Sequence, residues 1–151
     1  MLITTLRLLH IIFMAAWFGS GLFSSGDARR TLSSDNSDLD LLVNRLNRYG
    51  VVGGAAGLLT IVTGFGLIFA LGGFAVVSPA IHISIVTSFI MWVVGLVLVG
   101  GSSRKIAAGV KENKPRQELL GHAKKIAMGT GILHLLWLIT LVLMVFRAHL
   151  F

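Results

Sequence analysis

The chain of 151 residues is 55% hydrophobic and only 13% charged, about half the charged share of a soluble domain. Its net charge of +7 would suit nucleic acid, but the distribution excludes that partner: eleven of thirteen Lys/Arg and all six carboxylates lie in two segments, Asp27–Arg48 and Arg104–Lys125. The absence of cysteine excludes disulfides, thiol catalysis and thiolate metal sites.

Three charge-free runs stand out, Leu8–Gly26, Tyr49–Ser103 and Ile126–Phe146. One span takes roughly 20 apolar residues, so the middle run holds two. It divides between Leu71-Gly72-Gly73 and Ser78-Pro79. The expected fold is all-α, an integral membrane four-helix bundle occupying a single domain over residues 1–151.

Helix 1 is predicted from Leu2 to Ser25 as a retained span, because its start holds only Arg7 and no clean Ala-x-Ala cleavage site follows. On this helix Arg7, His10, Met14 and Trp17 share one stripe at i, i+3, i+7 and i+10. An ionisable group inside a span is costly and usually faces the bundle interior, so His10 is a candidate site by default. A polar loop follows, with Ser37 or Asp38 as the N-cap of a short interfacial amphipathic helix over residues 38–47. Helix 2 runs from Asn47 to Leu71 and carries Gly50, Gly53, Gly54, Gly57 and Gly64. Such glycines suit close helix packing, and the same gap would admit a flat cofactor. Pro79 opens helix 3, whose span covers residues 79–103 and whose helix continues to about Val110. Helix 4 begins near Gln117, with its span over residues 120–147.

With four spans, both basic segments emerge on one side. The positive-inside rule makes that side cytoplasmic and puts both termini outside it. The expected location is a bacterial-type cytoplasmic (inner) membrane, crossed several times. Anionic headgroups are the expected partners of the basic residues.

His10, His82 and His134 then share the outer half of the bilayer. At about 1.5 Å per residue, His10 lies about 12 Å, His82 about 4–6 Å and His134 about 18 Å from the outer ends of their helices. A loop at Gly72–Ser78 that folds inward would bring His82 deeper. His122 sits beside Lys124 and Lys125, and His149 is near the chain end, so both are set aside. Each remaining histidine alone suits a hydrogen bond at a helix interface. Three together suit haem iron, copper or zinc. No intramembrane carboxylate serves a proton relay, which disfavours a proton-coupled pump. Haem is preferred because it can join two histidines on separate helices. Trp17, Trp92 and Trp137 could pack on a porphyrin, or serve as core and interfacial aromatics. Met14 could supply an axial thioether or simply fill the core. Arg7 and Arg147 could pair with haem propionates or snorkel to headgroups.

The stretch Leu9-His10-Ile11-Ile12-Phe13, then Trp17-Phe18 and Gly21-Leu22-Phe23, resembles the first helix of bacterial HemJ-type protoporphyrinogen oxidases. Arg45-Leu46-Asn47-Arg48 resembles that family's basic segment before helix 2, and Ile81-His82-Ile83 its third-helix Leu-His-Ile. The closing Leu143-Met144-Val145-Phe146-Arg147 resembles related four-helix membrane proteins. The resemblance implies haem b held by His10 and His82, and oxidation of protoporphyrinogen IX. Ser84 stands where the family has lysine, and Ala80 where it has tryptophan. The family's Asn-Glu pair early in helix 4 is missing, with His134 near that region instead.

The leading expectation is therefore a haem-b-binding membrane redox protein, with His10 as one axial ligand and His82 or His134 as the other. Its expected partners are the lipid bilayer, a porphyrin or quinone substrate, and a second copy in a homodimer. Three alternatives stand beside it: protoporphyrinogen IX oxidase, a copper or zinc protein using His10, His82 and His134 with Met14, and a cofactor-free assembly protein.

Overall fold

The computed structural model describes residues 1–146, so Arg147 and His149 lie outside the described residues. Among the described residues there is no strand. Four helices are long and apolar enough to cross a membrane: α1 (Leu2–Leu32), α2 (Leu39–Ala70), α3 (Pro79–Lys111) and α4 (Arg116–Val145). Leu8, Ile11, Val62, Val97 and Leu135 point out of the bundle, as lipid-facing residues must when lipid is the solvent.

Two helices are longer than the sequence suggests. Gly26 does not end α1, because Asp27, Ala28 and Thr31 continue its inner face for another turn and a half. The amphipathic segment at 38–47 is not a separate helix but the first turns of α2. Asp38 is its N-cap, accepting from the Leu41 N–H at 3.0 Å. No Gly or Pro interrupts the chain from Leu39 to Tyr49. Leu42 and Leu46 bury against Ala28 and Leu32, so tertiary packing carries the helix through.

Both later turns are Schellman motifs. Gly72 (φ 113°) and Gly73 (φ 92°) end α2, with Gly73 N–H donating to Ile68 O and Gly72 N–H to Phe69 O. Asn113 (φ 53°) does the same for α3, with Lys114 N–H donating to Gly109 O, and Pro115 blocks continuation. Inside α3 the helix widens to a π turn over Gly95–Gly100.

The two ends of the bundle are built differently. At the basic end Ala28, Leu32, Leu42, Leu46, Ile106, Leu119, Ala123 and Ile126 form a continuous buried core. Above it Arg45 grips Asp27 with two hydrogen bonds, at 2.7 and 2.9 Å. Arg116 donates to Thr31 O, Ser37 Oγ, Asp35 O and Ser37 O, tying the α1–α2 loop to the start of α4. These two arginines are therefore engaged by protein, whereas Arg29, Arg30, Arg48, Arg104, Lys124 and Lys125 are exposed and free to meet headgroups. At the opposite end α1 packs on α2 and α4, and α3 packs mainly on α4. The α2–α3 seam is the loose one.

Arg116→Ala should lower stability by about 2 kcal/mol, since it removes charge-assisted bonds to a loop with no other anchor of that kind. Thermal unfolding in detergent measures it. Lys114→Ala, which removes only the exposed pair with Glu112, should leave the midpoint unchanged.

Candidate functional site

The α2–α3 seam opens into a cavity of about 440 Å³. This lies within the ~300–1,000 Å³ of small-molecule and cofactor sites. All four helices reach it: Arg7 and His10 from α1, Thr60 and Gly64 from α2, Ser84 and Ser88 from α3, and Met144 from α4. Apart from these groups its wall is aliphatic and aromatic.

His10 is the fixed point. Its Nδ1 lies 3.0 Å from Thr60 O and 3.1 Å from Thr63 Oγ1. A carbonyl oxygen can only accept, so Nδ1 carries the proton. Thr63 can accept it because its own hydroxyl proton goes to Leu59 O at 2.7 Å. In the neutral imidazole Nε2 is then the lone-pair nitrogen, and it makes no hydrogen bond among the described residues. The ring fits because residue 64 is glycine: a Cβ there would sit 3.2 Å from His10 Cε1.

Gly53, Gly57 and Gly64 of helix 2 serve this docking, while Gly50 and Gly54 face open space. A Cβ at Gly57 would meet the Trp17 ring at 2.9 Å, and one at Gly53 would meet Ser20 Oγ at 2.7 Å. Descending α1 from Ser20 to Trp17 to His10 thus matches ascending α2 from Gly53 to Gly57 to Gly64. At Gly53, Gly57 and Gly64 the space a side chain would take is occupied by Ser20, Trp17 and His10, while Gly64 also lines the cavity.

The other expected site residues are dispersed. His82 does not line the cavity. It is exposed, with Nδ1 3.2 Å from Ser78 O and its ring 6.1 Å from Phe74. The reason is helical phase: Ser84 faces the cavity fully buried, and a residue two positions earlier points roughly 200° away. The Gly72–Ser78 loop forms a short 3-10 turn over Phe74–Val76 and sends Val77 into the cavity instead. His134 stacks on Phe18 at 4.6 Å, in a separate small cavity with Trp17 and Trp137. Met14 lines no cavity described here, and Trp17 packs on Gly57 away from His10's cavity. Among the described residues no three His, Cys, Asp or Glu side chains gather at metal-binding distance, so His10, His82 and His134 do not assemble a common centre.

Sequence reasoning missed Thr60, Thr63 and Met144. A Thr-x-x-Thr pair on the face of the helix-2 glycines was the available signal for the first two. Met144 carried none, being one methionine in an apolar run.

Gly57→Ala should destabilise by about 1–3 kcal/mol, as overpacking against a rigid ring does. Gly19→Ala, whose new methyl meets nothing within 4 Å, serves as the matched control in the same unfolding assay.

No protein-family model, no curated protein and no solved structure matches the chain.

Proposed function

We propose that the cavity between α2 and α3 binds haem b, whose iron His10 Nε2 would hold, in a multi-pass membrane protein whose termini are extracytoplasmic. The supporting observation is the double anchor on His10 Nδ1. Metal-bound histidines characteristically donate their other N–H to a carbonyl or carboxylate, which fixes the ring and raises the basicity of the ligating nitrogen. A single imidazole suffices here only if the remaining donors come with the metal. A porphyrin brings four nitrogens, whereas bare copper or zinc would need two or three more side chains, and among the described residues the wall offers no second imidazole or carboxylate.

The cavity residues fit the group. Arg7 at the cavity rim would pair with propionates, and the aliphatic wall would hold the macrocycle. Met144 lines the same cavity and offers a thioether there. Haem would supply one-electron transfer. The chain's own work is to hold the His10 ring in one orientation and leave the α2–α3 seam open to a lipid-soluble partner.

Protoporphyrinogen oxidation is the second reading. It is supported by Ser84, which occupies the family's lysine position and faces the same cavity as His10. His10 Nε2 as an acceptor would suit a pyrrole N–H. Ser84 brings no cation for a substrate carboxylate, so this activity ranks below haem binding. A quinone carbonyl is the poorer match, since it needs a donor and Nε2 in this tautomer is an acceptor.

Protein purified from cells supplied with haem should show a b-type absorption spectrum. His10→Ala should abolish it, and Thr63→Val should weaken haem affinity about 10–100-fold. His82→Ala and His134→Ala should leave the spectrum unaltered. A colourless wild type, or a His10→Ala variant with an unchanged spectrum, rules the haem reading out. The orientation is checked separately. A reporter active only in the cytoplasm should work when fused after Arg30 or Lys111 and fail at either end of the chain.

A further inference from the structure

Most hydroxyls inside this bundle are spent on helix carbonyls, those of Ser20 and Ser24 three residues back. Thr60, Thr63, Ser84, Thr87, Ser103 and Thr140 each donate to the carbonyl four residues back. Thr130 does not. It is 4% exposed, and its Oγ1 is buried with no partner. Three more buried polar atoms are in the same state nearby: Trp92 Nε1, His134 Nε2 and Trp137 Nε1. Leaving one such group unpaired in an apolar medium costs about 1–3 kcal/mol, so four together need a common explanation.

They share a place. Trp92 and Thr130 line a cavity of about 100 Å³. Thr130, His134 and Trp137 line one of about 30 Å³. The two adjoin, with Trp17, Gly21, Thr130 and Leu133 common to both walls. The π turn of α3 borders the larger one through Gly95 and Gly100, and such turns often occur at functional positions. Neither wall carries a charged side chain, so an anion would have no counter-charge.

We propose that these adjoining cavities form an internal water site, holding about three or four ordered molecules at ~30 Å³ each. The chemistry of the four atoms selects water over other small ligands. Two indole N–H groups only donate, the Thr130 hydroxyl donates and accepts, and His134 Nε2 does one or the other by tautomer. Only a ligand that both donates and accepts in several directions serves all four. The site is distinct from the His10 cavity, with Trp17 on its wall and His10 two helical turns away along α1. His134 is thereby a hydrated imidazole and not a metal ligand.

Radiolytic footprinting of the protein in lipid nanodiscs tests this, because tightly bound water is activated in place and labels the side chains it touches. Trp92 and Trp137 should be labelled several-fold faster than the lipid-facing Phe23 and Phe69. Labelling of both tryptophans as slow as these phenylalanines overturns the proposal. Thr130→Val adds an independent readout. If the hydroxyl holds water, the variant lowers the unfolding midpoint and slows labelling of Trp92 and Trp137. If the hydroxyl is dry and unpaired, valine raises the midpoint and leaves labelling unchanged, which also overturns the proposal.

Discussion

The close contact between α1 and α2 governs this structure. In lipid there is no hydrophobic force pulling apolar helices together, so association depends on fit and on hydrogen bonds. Gly53, Gly57 and Gly64 supply the fit by giving up side chains opposite Ser20, Trp17 and His10. The hydrogen bonds from His10 to Thr60 and Thr63 supply direction at one end of that contact. The grip of Arg45 on Asp27 supplies it at the other. Between these two fixed points the register of α1 on α2 has little freedom. The ring of His10 is placed by the same contact that holds the helices.

The remaining helices divide the bundle by stiffness. The basic end is packed and cross-linked by arginine, with Arg116 joining α4 to the α1–α2 loop. Among the described residues the opposite end lacks such a core, and α3 rests mainly on α4 there. A bundle fastened at one end and open along one seam at the other suits a ligand that enters sideways from lipid. Polarity on that seam is sparse: Ser84 spends its hydroxyl proton on Ala80 O, and His10 Nε2 faces the cavity without a protein partner.

The spans were legible because hydropathy and charge distribution depend on composition alone. The helix ends were less so. Asp40, Arg45 and Arg48 made residues 38–47 look like a separate surface helix, but Leu42 and Leu46 decide the matter by packing on α1. The site was half legible. His10 announced itself as an imidazole in an apolar run. His82 did not share its cavity, because depth along a helix was read from sequence but direction around it was not. Thr60 and Thr63 lie some fifty residues from His10, and nothing local links them to it. Trp17 shares a stripe with His10, yet two helical turns were enough to carry it into a different cavity.

That separation has a consequence for how polar groups are spent inside the bundle. His10 and His134 each line a cavity of the bundle, and their surroundings differ in kind. His10 has both a donor's acceptor and a fixed tautomer, so its free nitrogen has a definite role as a base or ligand. His134 has a buried nitrogen with no protein partner and a ring held by Phe18, so its tautomer is set by whatever fills the space beside it. A metal site requires the first arrangement, since an imidazole that is free to switch tautomers does not present one nitrogen reliably. An internal water site accepts the second, since water exchanges donor and acceptor roles at small cost. The two histidines are alike in sequence, each a lone imidazole in an apolar helix. The hydrogen bond on the other side of the ring is what tells them apart.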